Sequence, residues 1–273
     1  MPHRYNAGSA VRAYGKVFTL SLKESLYYPN RLLASVCITT FRVVMMLLIY
    51  SYAFRYIGKT VNGIDAATAI WSIAIYHLLL YAQFRTVFKT INDEMRRGEL
   101  EAQLNKPYTY LFYKFWEQLG RGMLHFLAAV AVVVPLLLFF LGGAPDVFSF
   151  PRFLAGLVLA AGGTVVSAAL YMLIALPALW IDDAQPIYWI VDKAVLILGG
   201  SYVPLALLPG AFHTLANLTP FGAPMFATQM FNPDFSGAWW QLALLQGFWI
   251  AVLGGTAIFL FEKVRRKLSV NGG

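Results

Sequence analysis

Polar and ionisable side chains inside apolar sequence are where this chain could do chemistry. A charge at the centre of a membrane helix costs roughly 2.5–3.5 kcal/mol and marks a functional position by default. Arg42 lies about ten residues into the apolar run Leu32–Tyr56, and Ser35, Thr39 and Met46 share its helical stripe. That face should look at protein or water, not at lipid. In the next apolar run Thr68, Ser72, Tyr76 and Gln83 form a second stripe, within about 80° on a helical wheel. Such stripes either line a path for a solute or hydrogen-bond helices to one another. Arg42, Thr39, Tyr76 and Ser72 are the candidates for a substrate path. Asp192 and Lys193 open a later run and read as structural, with Lys193 snorkelling to the interface.

Motifs for catalysis are missing. No Gly-x-x-x-x-Gly-Lys-Ser/Thr, His-Glu-x-x-His, Gly-x-Ser-x-Gly or Cys-x-x-Cys occurs. His3, His77, His125 and His213 sit in four different segments, so a metal site would need wholly tertiary assembly. No catalytic residue, metal ligand set or cofactor is assigned to this chain.

The other chemistry-bearing segment is charged. The window Arg85 to Arg121 holds seven basic and five acidic residues, between runs that are almost free of charge. Within it Ile91 and Met95 share one helical face, and Leu100 and Leu104 another after Gly98, with charges between. This reads as two short amphipathic turns joined at a glycine and ended by Lys106-Pro107, a docking element over 91–107. The bland alternative is a solvated loop with weak surface ion pairs.

These residues must be positioned by membrane helices. The chain has 273 residues, 59% apolar and 12% charged, against roughly 25% charged in soluble domains. A spanning helix needs about 20 mainly apolar residues, and the runs Leu32–Tyr56, Ala66–Val87, Gly122–Leu141, Phe153–Ile181, Ile187–Leu207 and Trp239–Phe261 qualify, six in all. The predicted fold is an all-α membrane protein: an N-terminal cytoplasmic and interfacial segment (1–31), a six-span domain (32–262) and a basic tail (263–273). Sixteen Lys and Arg fall in the N-terminal segment, the second connection and the C-terminus, against Arg55, Lys59 and Arg152 on the other side. By the positive-inside rule both termini and the charged window face the cytoplasm. The net charge of +8 therefore reports topology, and no nucleic-acid partner is implied.

Two further segments are shaped by the membrane. In residues 11–26, Val11, Tyr14, Phe18, Leu22 and Leu26 fall on one side of a helix, with Arg12, Lys16 and Lys23 about a third of a turn away. This predicts an interfacial helix ended by Pro29, its basic edge near anionic headgroups. After Gly199-Gly200, the residues Pro204, Pro209, Pro220 and Pro224 interrupt apolar sequence, so residues 203–231 read as a short helical hairpin dipping in from the extracytoplasmic side. Gly156, Ala160, Gly163 and Ser167 are small residues spaced four, three and four apart, a close-packing signal.

The run Asn92-x-Glu94-Met95-Arg96-Arg97-Gly98-Glu99-Leu100-Glu101-x-x-Leu104-x-Lys106-Pro107-x-x-x-Leu111-Phe112 resembles the signature of ABC-2 type transporter permeases. The later runs Gly199-Gly200-x-x-Val203-Pro204-Leu205-x-x-x-Pro209 and Leu218-Thr219-Pro220-Phe221 look like one branch of that family. The order of elements matches over nearly the whole chain. The resemblance implies the membrane subunit of an ATP-driven exporter in the bacterial cytoplasmic (inner) membrane. By similarity, 91–107 is a coupling helix that sits on a separate ATPase subunit, which holds the ATP and Mg. Arg97, Glu99 and Leu100 would carry that contact within a docking set of Arg96, Arg97, Gly98, Glu99, Leu100, Leu104 and Pro107. Pro204, Pro209, Pro220 and Phe221 would shape the re-entrant hairpin. A second permease, identical or paralogous, would complete the pathway among membrane lipids. Asn105-Lys106 departs from the family's usual Leu-Arg-like pair. The aromatic content favours a hydrophobic or amphiphilic cargo such as a drug, lipid or peptide. The rival readings are an ion-coupled carrier, which predicts internal repeats and paired carboxylates, and a membrane-embedded enzyme, which predicts His, Asp or Glu clustered at one interface.

Overall fold

The computed structural model describes residues 7–58, 60–100, 103, 109–181 and 183–271. Among them the chain is helical apart from one antiparallel ribbon, in which Thr60 and Val61 (β1) pair with Asp65 and Ile64 (β2). The helices are α1 (Ala7–Leu26), α2 (Pro29–Ile57), α3 (Ala66–Leu79), α4 (Arg85–Arg96), α5 (Tyr110–Leu141), α6 (Phe150–Ala175), α7 (Gln185–Leu198), α8 (Gly210–Leu218), α9 (Phe235–Trp249) and α10 (Gly255–Asn271). Among the described residues five stretches are long and apolar enough to cross a membrane: Pro29–Ile57, Ala66–Arg96, Tyr110–Leu141, Phe150–Ala178 and Phe235–Lys263. The last runs through α9 and α10, joined by a π-helical turn at Ile250–Gly254.

Ala66–Arg96 is the central element. It is mostly buried, whereas α2 and α5 leave most of their length on the outside. The expected single helix Ala66–Val87 is broken: α3 tightens into a 3-10 turn at Leu80–Ala82, Gln83 is extended, and α4 restarts at Arg85. A break at this depth needs a partner for each freed backbone group. Ser167 of α6 provides one, its hydroxyl accepting from the Phe84 N–H at 3.0 Å.

The expected fifth span, Ile187–Leu207, is realised as α7, 14 residues long, or about 21 Å. That is short of the roughly 30 Å of a hydrocarbon core. The helix stops at Gly199, and Gly200 turns the chain with φ +85°. The segment after it is broken into short pieces. Pro204 precedes a 3-10 turn at Leu205–Leu207, Pro209 opens α8, and Pro220 and Phe221 lie in the turn before a 3-10 helix at Ala223–Phe231. This last piece is almost wholly buried. It packs along the small-residue stripe of α6, where a Cβ on Gly163 would stand 2.3 Å from the Pro224 carbonyl oxygen. Arg152, at the start of α6, donates to the carbonyls of Asn232 (2.7 Å) and Pro233 (2.9 Å) and closes the end of the piece.

The amphipathic α1 forms as predicted and packs on α5. Phe18 meets Trp116 edge-on at 6.4 Å, Tyr14 meets Phe112 at 6.3 Å, and the Tyr14 hydroxyl accepts from the Thr109 N–H at 3.1 Å. Tyr28 separates α1 from α2, with Pro29 at the first helical position, where the missing N–H costs nothing.

Candidate functional site: a charged turn, an ion-pair ladder and a cationic cavity

The docking element begins inside α4. Ile91 and Leu100 are buried in the cluster with Phe88, Tyr171 and Phe261, and Met95 packs against it. Ile91, Met95 and Leu100 of the expected docking element therefore face the bundle, because Gly98 folds the chain back. Gly98 takes φ +71°, its N–H donates to the Met95 carbonyl (3.2 Å) and the Glu99 N–H to the Glu94 carbonyl (2.9 Å). This is a Schellman turn, whose left-handed position suits glycine. What the turn leaves outward is a charged rim: Asp93, Arg96, Arg97 and Glu99 are exposed, with Arg97 and Glu99 3.9 Å apart. Leu104 and Pro107 lie outside the described residues.

The inward side of α4 is bolted to its neighbours by charge. Glu94 accepts from Lys114 of α5 (2.5 Å) through one oxygen and from the Tyr110 hydroxyl (2.5 Å) through the other. Lys114 is 5% exposed, so this pair is shielded from water and salt. The ladder continues along α5, Lys114 to Glu117 (3.3 Å) and Glu117 to Arg121 (3.1 Å), and crosses to Glu24 of α1 (3.3 Å). One line of ion pairs thus joins α4, α5 and α1.

A second buried pair fastens α7. Arg85, at the start of α4, grips Asp192 with a two-pronged fork, Nε to Oδ1 at 2.5 Å and Nη2 to Oδ2 at 2.6 Å. The Tyr171 hydroxyl donates to Oδ1 at 3.1 Å. Lys193 stays half exposed, 5.2 Å over the Trp189 ring, with its ammonium 4.0 Å from Asp192.

Between α2, the α3–α4 break and α5 lies a cavity of about 560 Å³. Arg42, Arg85, Lys89 and Arg121 line it, and among the described residues no Asp or Glu does. Of the proposed path residues, Thr39 and Arg42 line this cavity. Tyr76 and Ser72 do not: Tyr76 is buried beside Gly199, and Ser72 is buried with its hydroxyl unpartnered.

The α2 wall is held by a small network. The Ser35 hydroxyl donates to the Leu32 carbonyl (2.7 Å), so His125 Nδ1 must donate to Ser35 Oγ (2.7 Å). The Tyr81 hydroxyl donates to the Ser35 carbonyl (2.6 Å), which leaves the Thr39 hydroxyl to donate to Tyr81 (2.5 Å). Part of the first polar stripe is therefore a helix-to-helix seam.

The wall also holds His77 and Gln83, 6% and 4% exposed, whose side-chain nitrogen and oxygen atoms have no hydrogen-bond partner among the described residues. Sequence reading passes over His77, His125, Tyr81, Lys89 and Arg121 as cavity residues. The break after Leu79 re-aims everything that follows it, and the only local signal is Gln83 on the second stripe. Protein-family models, curated proteins and solved structures, each compared with this chain, return no match.

Proposed function

We propose that this chain is the transmembrane permease subunit of an ATP-binding-cassette exporter of the ABC-2 type. It would move a hydrophobic or amphiphilic cargo out across the bacterial cytoplasmic membrane, driven by a separate ATPase subunit that binds ATP and Mg. The observation that carries the proposal is the charged turn at Arg96–Glu99. Its rim faces outward, while its inner side is locked to α5 and α1 through Glu94, Lys114, Glu117, Arg121 and Glu24. A push on that rim is transmitted to two helices as one body, as a coupling element between a soluble motor and a membrane pathway requires. The residue pattern around Gly98-Glu99-Leu100 supplies the class of motor.

In this reading both termini and the rim are cytoplasmic. The short α7 and the broken segment after it complete a sixth crossing, and residues 203–231 form the re-entrant hairpin from the opposite face. The loop at Gly63 lies against Pro233, which groups the hairpin's end with the first extracytoplasmic turn. A second permease, identical or paralogous, would meet this one through the outward-facing length of α2. An ion-coupled carrier would need a carboxylate free to titrate within the bundle. Asp192 is the only buried carboxylate among the described residues, and Arg85 and Tyr171 already occupy it.

Glu99→Lys tests the assignment. Glu99 is exposed and its contact with Arg97 is long, so the fold should lose less than about 1 kcal/mol. Reversing a rim charge should weaken ATPase capture about tenfold or more, with a matching loss of transport. The measurements are pull-down of an ATPase subunit with this chain from its native membranes, transport in vesicles, and thermal unfolding of the membrane subunit. Wild-type transport by a fully exchanged Glu99→Lys chain would remove the coupling role.

A further inference from the structure

We propose that the cavity around Arg42 binds a phosphate-type anionic group, carried by an amphiphile whose hydrocarbon lies along the exposed flank of α2. As a statement about cargo this rests on the permease reading above. As binding it is a property of this chain alone.

Charge makes the first argument. Of the four cations in the cavity wall, Arg85 is held by Asp192 and Arg121 by Glu117 and Glu24. Arg42 and Lys89 have no carboxylate within 4.0 Å among the described residues. Two cations without a carboxylate partner thus face a space that no Asp or Glu among the described residues lines. For Arg42, within an apolar helix, that is costly unless an anion joins it.

Unmade hydrogen bonds make the second. Buried polar atoms nearly always find partners, and each exception calls for a reason. His77 and Gln83 both border the cavity, both are more than nine-tenths buried, and the polar atoms of both side chains have no partner among the described residues. A neutral imidazole offers one N–H and a glutamine amide two. A phosphate oxygen cluster accepts several such bonds at once and carries the charge that Arg42 and Lys89 lack. The volume of about 560 Å³ takes such a headgroup with room for a small polar substituent.

Placement on α2 makes the third. Ser35, Thr39 and Arg42 line the cavity, and Ile38 and Met45 stand within about a quarter turn of that stripe, exposed on the outside of the bundle. A headgroup beside Arg42 would leave its chain on those two side chains. A second recess of about 340 Å³ shares Arg121 and His125 with the cavity and reaches Tyr28 and Arg31 at the α1–α2 junction. It offers a polar way in from the interfacial helix.

The test uses the full-length chain in nanodiscs of phosphatidylcholine with a minor share of phosphatidylglycerol. The lipid retained after detergent exchange is counted by native mass spectrometry. Phosphatidylglycerol should be enriched about tenfold over its bilayer share, and R42Q/K89Q should return it to that share. Arg55→Gln, at the far end of α2, should leave the enrichment unchanged. His77→Phe replaces an unpartnered buried polar ring with an apolar one, so it should fold at least as well while lowering the enrichment several-fold. It keeps the test open should R42Q/K89Q fail to fold. A parallel titration with inorganic phosphate separates the sources. Phosphate binding that R42Q/K89Q abolishes, without lipid enrichment, keeps the anion site but overturns the amphiphile. Retention in bilayer proportion with no phosphate binding overturns the proposal, and so does enrichment that survives both variants. None of these measurements involves an ATPase, so failure of the permease reading in the Glu99→Lys experiment would be seen separately.

Discussion

Replacing Arg85 with leucine is expected to destabilise the chain by about 3–5 kcal/mol, the usual cost of removing one partner of a buried ion pair. Asp192 is 2% exposed, and without the guanidinium it keeps only neutral hydroxyl donors such as Tyr171 among the described residues. Lys193 stands 4.0 Å away but is half exposed, so water screens most of what it could return. Arg85→Lys should fall between the two, because an ammonium carries the charge but not the two-pronged geometry. The double variant R85L/D192L should recover most of the loss, since apolar replacement of a whole buried pair is often neutral. Thermal unfolding of the purified chain in one detergent ranks all four proteins. An Arg85→Leu chain as stable as wild type would show that the pair carries no load, and that α7 is held by its apolar contacts alone.

The second large effect is expected at Gly163. A methyl group there would stand 2.3 Å from the Pro224 carbonyl oxygen and 2.9 Å from its carbon. These are backbone atoms in the first turn of the buried piece Ala223–Phe231, which cannot swing aside as a side-chain tip can. Gly163→Val should cost at least the 1–3 kcal/mol, roughly, of ordinary overpacking, and it should displace the 3-10 piece from α6. Gly247→Ala is the control: nothing lies within 4 Å of the new methyl, and leaving a helical glycine should add about 0.5–1 kcal/mol of stability. The readouts are unfolding temperature and protease sensitivity at the Pro220–Phe221 turn. Equal stability of the two variants would mean that α6 and the 3-10 piece are not in close contact.

These two sites differ in how visible they are in the amino-acid sequence. Gly163 is legible, because small residues at Gly156, Ala160, Gly163 and Ser167 fall on one face and a helix with such a face is approached closely by something. Which element approaches is not legible. Asp192 is legible as a charge in an apolar run, but its partner Arg85 is 107 positions away, across a broken helix. The same limit explains the charged turn. Periodicity places Ile91, Met95 and Leu100 on apolar faces, but it does not say whether the bundle or a partner covers them. The break at Gln83–Phe84 is hidden for a related reason. The sequence from Ala66 to Val87 has the composition of one helix, and the interruption depends on a hydroxyl from α6. The same holds for α7, where Gly199-Gly200 announces the stop but the apolar residues beyond it read as a continuing span. The cavity combines side chains from α2, α3, α4, α5 and α7, none of which is periodic with the others.

The pairing of α1 with α5 also dictates an order of events during synthesis. Glu24 and its partner Arg121 are 97 positions apart. At about 5–20 residues per second, the ribosome needs roughly 5–20 s to deliver one after the other. Throughout that interval Tyr14 and Phe18 have no protein to rest on. The seating of α1 on α5 therefore becomes a late step of biogenesis, possible only once the first half of α5 has been made.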